Sequence, residues 1–201
     1  MDLPLAVDSP NPETVCAGLE VCRDPRAAWA NSITLDPARI GGLLPAVVEH
    51  ECRLIALCMD ERGVPPTAEA RLSIARRLVD EVTRWGLPLD RLYLDPLVEP
   101  ISIEPRGAVT SLETVRAIGA ELPEVRTVIS LSAISHGLPA RRLLNRTLLP
   151  LLLGAGIDAV FLDPTDRQLM IALTSTRALL GADPHGLGYI AAYRSGLLRA
   201  S

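Results

Sequence analysis

An α/β fold of the (β/α)8 TIM-barrel type, incomplete, with six βα units present as an open barrel, is what this chain of 201 residues predicts. Three observations carry that reading. Six strand-like apolar runs close on a polar residue, namely Asp8, Asn31, Asp60, Asp95, Ser132 and Asp163. A helix-length segment separates each run from the next, which is the rhythm of parallel strands joined by crossover helices. The runs are near-continuously apolar rather than alternating, as strands covered on both faces should be.

In chain order the strands are expected over residues 3–8, 28–34, 53–59, 92–95, 127–134 and 159–163. Helices are expected after Pro12, Pro37, Ser111, Pro139 and Asp166, with Asp36 as the cap of the second. The clearest helix covers residues 67–85. There Leu72, Ala75, Leu78, Val79 and Val82 recur at helical spacing, while Arg71, Arg76, Arg77, Asp80 and Glu81 take the other positions. Thr67 after two prolines marks its start and Gly86 its end. The longest loop, residues 97–110, follows Asp95 directly, and long loops at strand ends are usually functional.

Composition narrows the function. Hydrophobic residues make up 48% of the chain, enough for one sizeable core and a single domain over 1–201. The net charge is −4 and the aromatic residues are two Trp, three Tyr and one Phe, so neither a basic surface nor stacking platforms for nucleic acid are present. No apolar run approaches the ~18 residues of a membrane span. The start Met1-Asp2-Leu3-Pro4 shows no basic leader, so a cytoplasmic location is expected. All basic residues are Arg; without lysine, Schiff-base chemistry and a P-loop are excluded. Cys16, Cys22, Cys52 and Cys58 form no CxxC pair and have no histidine at finger spacing, so reduced thiols and no metal are expected.

Acids and amides at a barrel mouth suit a neutral heterocycle rich in N–H donors. A carboxylate at Asp95 can accept two parallel hydrogen bonds from an amidine-like edge, and Asn31 can donate and accept at once. Guanine-like and pterin-like rings both present such an edge.

The words around these residues are more specific. Val7-Asp8-Ser9-Pro10-Asn11-Pro12, Ala30-Asn31-Ser32, Ala56-Leu57-Cys58-Met59-Asp60-Glu61-Arg62-Gly63-Val64-Pro65, Tyr93-Leu94-Asp95-Pro96-Leu97 and Arg142-Leu143-Leu144-Asn145-Arg146-Thr147 occur in this order. Together they resemble the methyltetrahydrofolate:corrinoid methyltransferases, a pterin-binding branch of the dihydropteroate synthase-like TIM barrels. The resemblance covers essentially the whole chain. It implies that the N5-methyl of methyltetrahydrofolate passes to the cobalt of a corrinoid supplied by a separate protein, and that the molecule is a homodimer. It makes Asp8, Asn31 and Asp95 the ring-binding trio and adds Ser132, Arg141 and Asp163 as pterin contacts. Ser132 and His136 become the candidates for chemistry at N5, while rim ion pairs compete for Asp60 and Arg146.

Four departures from the family qualify that expectation. Leu131-Ser132-Ala133 stands where the family has Leu-Ser-Asn, and an alanine can neither donate nor accept; losing one such donor costs on the order of 10²- to 10³-fold in rate. Ala140 replaces a second asparagine just before Arg141, and Ser130 replaces a glycine. Family members also begin with two further βα units, so the sequence reads as an N-terminally truncated pterin-binding domain whose exposed strand edges need covering. A degenerate pterin-binding protein without turnover is therefore the alternative function. Dihydropteroate synthase itself is disfavoured, because its strand-end lysine and early anion-binding loop are missing. Asp183-Pro184-His185-Gly186-Leu187-Gly188 matches the cobalamin-ligating Asp-x-His-x-x-Gly pattern, but too little chain follows it to enclose a corrinoid.

Overall fold

The computed structural model describes residues 3–198. It divides into two compact units: the first runs to Leu97 and includes Glu113–Val128, and the second takes Val98–Leu112 and the chain from Ile129 onward. The strands are β1 (Ala6–Asp8), β2 (Trp29–Ile33), β3 (Arg53–Leu57), β4 (Leu92–Asp95), β5 (Arg126–Ser130) and β6 (Ala159–Phe161). They lie in sequence order in one sheet, with β1 and β6 at its ends. Each recorded pairing from β1 through β5 is parallel. This is the α/β strand order expected, with six βα units.

The helices are α1 (Pro12–Glu20), α2 (Pro37–Glu49), α3 (Ala68–Arg84), α4 (Gly107–Glu121), α5 (Arg141–Ala155), α6 (Arg167–Leu179) and α7 (Leu187–Arg194). Their starts follow local chemistry. Asn11, Asp36 and Thr67 cap α1, α2 and α3 by accepting the backbone N–H groups of Glu13, Ala38 and Ala70. Proline at the first position of α1 and α2 costs no hydrogen bond there.

Several boundaries differ from expectation. Residues 131–135 form a 3-10 turn rather than the end of β5, because Leu131 and Ile134, three apart, both go inward. β6 stops at Phe161, short of Asp163. α4 starts at Gly107 rather than after Ser111, so the loop following Asp95 is shorter than its composition suggests. Ser111 is buried and returns its hydroxyl to the Gly107 carbonyl at 2.8 Å, so a residue that reads as loop is satisfied inside the helix. A Cβ on Gly107 would overlap the Glu99 carbonyl oxygen, which is why glycine opens this helix. α7 was not expected. Asp183 holds its first turn by accepting from the N–H groups of Gly188 and Tyr189, both at 2.8 Å, which accounts for that aspartate without any corrinoid.

In the first unit the sheet has two distinct faces. Ala28, Ala30, Leu54, Ala56, Leu92 and Leu94 belong to one continuous core with Val15, Leu19, Leu43, Leu44, Val47, Leu78 and Val82 of the helices. The alternate residues Trp29, Asn31, Ile55, Tyr93 and Asp95 fall on the other face. The Trp29 and Tyr93 rings meet there, with centroids 4.2 Å apart. The second unit buries Ile129, Leu131, Ile134, Leu148, Leu149, Leu152, Ile157 and Leu169. Among the described residues no helix is long and apolar enough to cross a membrane.

Candidate functional site

Strand register decides which of the expected residues share a face. Asp8 pairs with Asn31, Asn31 with Ile55, and Ile55 with Tyr93, so these four form one row across four strands. Neighbours in a row point to the same side, and Asp95, two residues beyond Tyr93, points there as well. Asp8, Asn31 and Asp95 therefore stand at the C-terminal end of the strands on the face opposite the helices. The Ser9 N–H binds the Asn31 carbonyl at 3.1 Å, tying the two strand ends together. The β2–β3 register shifts just after Asn31, and the Asn31–Ser32 peptide is cis. Asp8 is exposed and Asn31 half-buried. Neither side chain has a hydrogen-bond partner among the described residues.

Asp95 is the buried member of the trio. Its Oδ1 accepts the Leu97 N–H at 2.7 Å, leaving a lone pair there and Oδ2 for other donors. Burial pushes this carboxyl up to about 7, against the opposing effects of the Leu97 N–H and of Arg71. Arg71 is itself fully buried, contrary to its expected place on the polar side of α3. Its Nε donates to the Pro65 carbonyl at 2.8 Å, and its Nη1 to the carbonyls of Pro96 at 3.0 Å and Leu97 at 2.8 Å. The guanidinium thus pins the loop before α3 to the chain leaving β4. A signal existed: residues 71, 75, 78 and 82 follow the i, i+4, i+7, i+11 pattern of a single stripe, so Arg71 lies in line with apolar neighbours. Cys58 is buried close to Asp95 and its thiol is pushed up by burial.

The second unit holds Ser132, His136, Arg141 and Asp163. Ser132 is exposed in the 3-10 turn, with its Oγ 3.4 Å from that of Ser130. Arg141 opens α5 and donates to the Ser132 carbonyl at 2.7 Å and to Ser135 Oγ at 3.1 Å. Ser135 in turn donates to Asn145 Oδ1 at 2.8 Å. His136 is exposed; its carbonyl accepts from Ser102 Oγ at 2.9 Å, and its ring has no hydrogen-bond partner among the described residues. Asp163 lies past β6, where its Oδ1 takes the Thr165 N–H at 2.9 Å and hydroxyl at 2.6 Å. Those bonds hold its carboxyl below the ordinary range.

An open cavity of about 370 Å³ lies beside these residues, lined by Ser130, Ser132, Asn145, Phe161, Asp163 and Asp166 among others. Ala140 sits in the left-handed region at φ 50°, a conformation asparagine tolerates better.

Two rim residues are spoken for. Asp60 pairs with Arg62 at 2.7 Å. Arg146 pairs with Asp166 at 2.7 Å, and Asp166 also caps α6 through the N–H groups of Gln168 and Leu169. The Arg146 hydrogen bonds lead in holding the Asp166 carboxyl below its ordinary range. Its stabilising effect is therefore present at neutral pH and lost as pH falls through the carboxylate range. The donors and acceptors at the strand ends are thus carboxylates, an amide and hydroxyls, which can recognise N–H donors and lone pairs. Among the described residues no group of three His, Cys, Asp or Glu side chains is placed to hold a metal ion.

The sequence matches no protein-family model. It is 31% identical over 169 residues to methionine synthase of Mycobacterium tuberculosis, aligning 78% of this chain with 14% of that one. It is 27% identical over 205 residues to methionine synthase of Mycobacterium leprae, where it covers 17% of the relative. The fold resembles that of Yersinia pestis DHPS, solved with a pterine-sulfa conjugate, at a TM-score of 0.68 and 12% identity, over 90% of this chain and 70% of that one. The methylcorrinoid:tetrahydrofolate methyltransferase of Eubacterium limosum is 32% identical over 198 residues, which are 98% of this chain and 72% of that relative. On that extent of identity the chain belongs to the methylcorrinoid:tetrahydrofolate methyltransferase family.

Proposed function

We propose that this protein transfers a methyl group between a reduced folate and the cobalt of a corrinoid held by a separate protein. The observation that carries the reading is the placement of Asp8, Asn31 and Asp95 on one face at the strand ends, in a chain of this family. Asp95 accepts N–H donors from the pterin edge, while Asn31 and Asp8 complete the ring contacts. Ser132, Arg141 and Asp163 of the second unit are assigned as further pterin contacts, and Ser132 and His136 as groups acting near N5. The folate comes as substrate and the corrinoid on a partner, and the protein acts as a cytoplasmic homodimer. The Eubacterium limosum relative is named for transfer from corrinoid to tetrahydrofolate, so both directions belong in the test.

The experiment incubates the purified protein with methyltetrahydrofolate and cob(I)alamin, and separately with methylcobalamin and tetrahydrofolate, following the cobalamin spectrum. Protein-dependent interconversion in either direction is expected. Ala133 favours a second reading, a pterin binder without turnover, because the 3-10 turn then lacks the family's amide. Calorimetric binding of folate with no cobalamin change in either direction would support that reading and reject transfer.

A further inference from the structure

The cavity beside β5 and β6 contains one side-chain amide, that of Asn145. Its short contact with Ser135 orients it. Arg141 Nε, which can only donate, is 3.1 Å from Ser135 Oγ, so the Ser135 oxygen is an acceptor in that contact. Ser135 has one proton to give. Its candidate acceptors are Asn145 Oδ1 at 2.8 Å and the Ser132 carbonyl at 3.3 Å, and the latter already accepts Arg141 Nη2 at 2.7 Å. Asn145 Oδ1 is the nearer acceptor by half an ångström, and it takes the proton. Ser135 is fully buried, so this arrangement is shielded from competition by water. Asn145 therefore turns its oxygen toward Ser135. Its Nδ2 is left with no partner among the described residues, on a side chain that lines the cavity.

Resting on the methyl-transfer reading, we propose that Asn145 Nδ2 is the donor this cavity offers to N5 of the reduced folate, supplying from α5 the hydrogen bond that Ala133 cannot. In transfer to cobalt the N5–CH3 bond breaks with its electron pair staying on nitrogen, and cobalt(I) contributes the pair of the new Co–CH3 bond. The amide donates a hydrogen bond to the N5 lone pair and keeps its own proton. The proton that N5 finally carries comes from solvent. Arg141 and Ser135 are positioning residues, acting by holding the amide in one orientation.

Asn145→Leu removes the donor without adding charge, and Ser135 can then turn to the Ser132 carbonyl. Single-turnover methyl transfer to cob(I)alamin should slow by about 10²-fold while folate affinity stays within about threefold, as expected for a donor engaged mainly in the transition state. Adding Ala133→Asn to that variant should recover at least about tenfold of the lost rate, which a merely structural role for Asn145 would not permit. The proposal is overturned if Asn145→Leu transfers methyl within about threefold of the wild-type rate, if rate and affinity fall together, or if Ala133→Asn gives no recovery. Wild-type protein that fails to bind folate or to transfer methyl would instead reject the methyl-transfer reading and this assignment with it.

Discussion

In the wild type Asp95 should make stability and ligand binding depend on pH in opposite senses, and replacing it with Asn should remove both dependences. The folded carboxyl sits at about 7 against an ordinary value of 3.8, because burial removes its hydration and the Leu97 N–H and Arg71 restore only part of it. Arg71 is the charged group acting on it, and the Cys58 thiol is its titratable neighbour. Below pH 4 the carboxyl is protonated in both folded and unfolded chains and has no effect on their balance. Between pH 4 and 7 the unfolded chain ionises while the folded one does not. Stability then falls as pH rises, by about 1.4 kcal/mol per pH unit and about 4 kcal/mol in all, and levels off above 7.

Urea unfolding of wild type and Asp95→Asn from pH 4 to 8 reads this directly. The difference between the two should change by several kcal/mol in favour of the variant across that window and stay constant above it. Folate binding should run the other way. The ionised carboxylate is the better acceptor of N–H donors, so wild-type affinity should weaken about tenfold per pH unit below 7, while Asp95→Asn binds weakly at every pH. Parallel stability profiles for the two proteins would refute the burial argument. A pH-independent affinity difference would refute the role of Asp95 as acceptor.

Four other outcomes follow from the same structure. Arg71→Met leaves three carbonyls without their donor and should cost about 3–5 kcal/mol in urea unfolding, with the binding profile of Asp95 moving to higher pH. Gly107→Ala forces a Cβ against the Glu99 carbonyl and should cost about 2 kcal/mol by thermal unfolding. Ala140→Gly releases a left-handed alanine and should raise stability by about 1 kcal/mol; a loss would show that the φ of 50° is not strained. In thiol titration with a disulfide reagent, Cys16 and Cys22 should react in the native protein and Cys52 and Cys58 only in denaturant. The latter two are buried, with Cys52 pushed up to about 11; equal native rates for all four would contradict their burial.

Much of the fold was legible because its determinants are local. Strand β4 was located to the residue, since Tyr93-Leu94-Asp95 is bounded by turn residues and closed by Pro96, which cannot continue a central strand. Asp36 was recognisable as a cap because the Leu35-Asp36-Pro37 triplet lies past its strand, where a helix starts. Errors collected where polar residues are satisfied by tertiary partners or within a helix. Ser111 looked like loop and is buried helix; residues 131–134 looked like strand and form a turn; Arg71 looked solvated and is fully buried. For Ser111 and Arg71 composition was read as exposure, and hydrogen bonds to backbone carbonyls made burial possible; for residues 131–134 an apolar run was read as strand where a three-residue spacing makes a turn.

By itself the sequence determined the order of six βα units, the polar residue closing each apolar run, the absence of lysine chemistry and the family resemblance. These depend on periodicity, punctuation and residue identity along the chain. Only the tertiary structure decided that Asp8, Asn31 and Asp95 share one face, because that depends on parallel register between strands far apart in sequence. It alone placed Asp95 in a dry setting beside Arg71, and set the Asn145 amide by a chain of donors running through Ser135. Burial and hydrogen-bond direction are properties of neighbours in space, and a chain read in one dimension does not contain them.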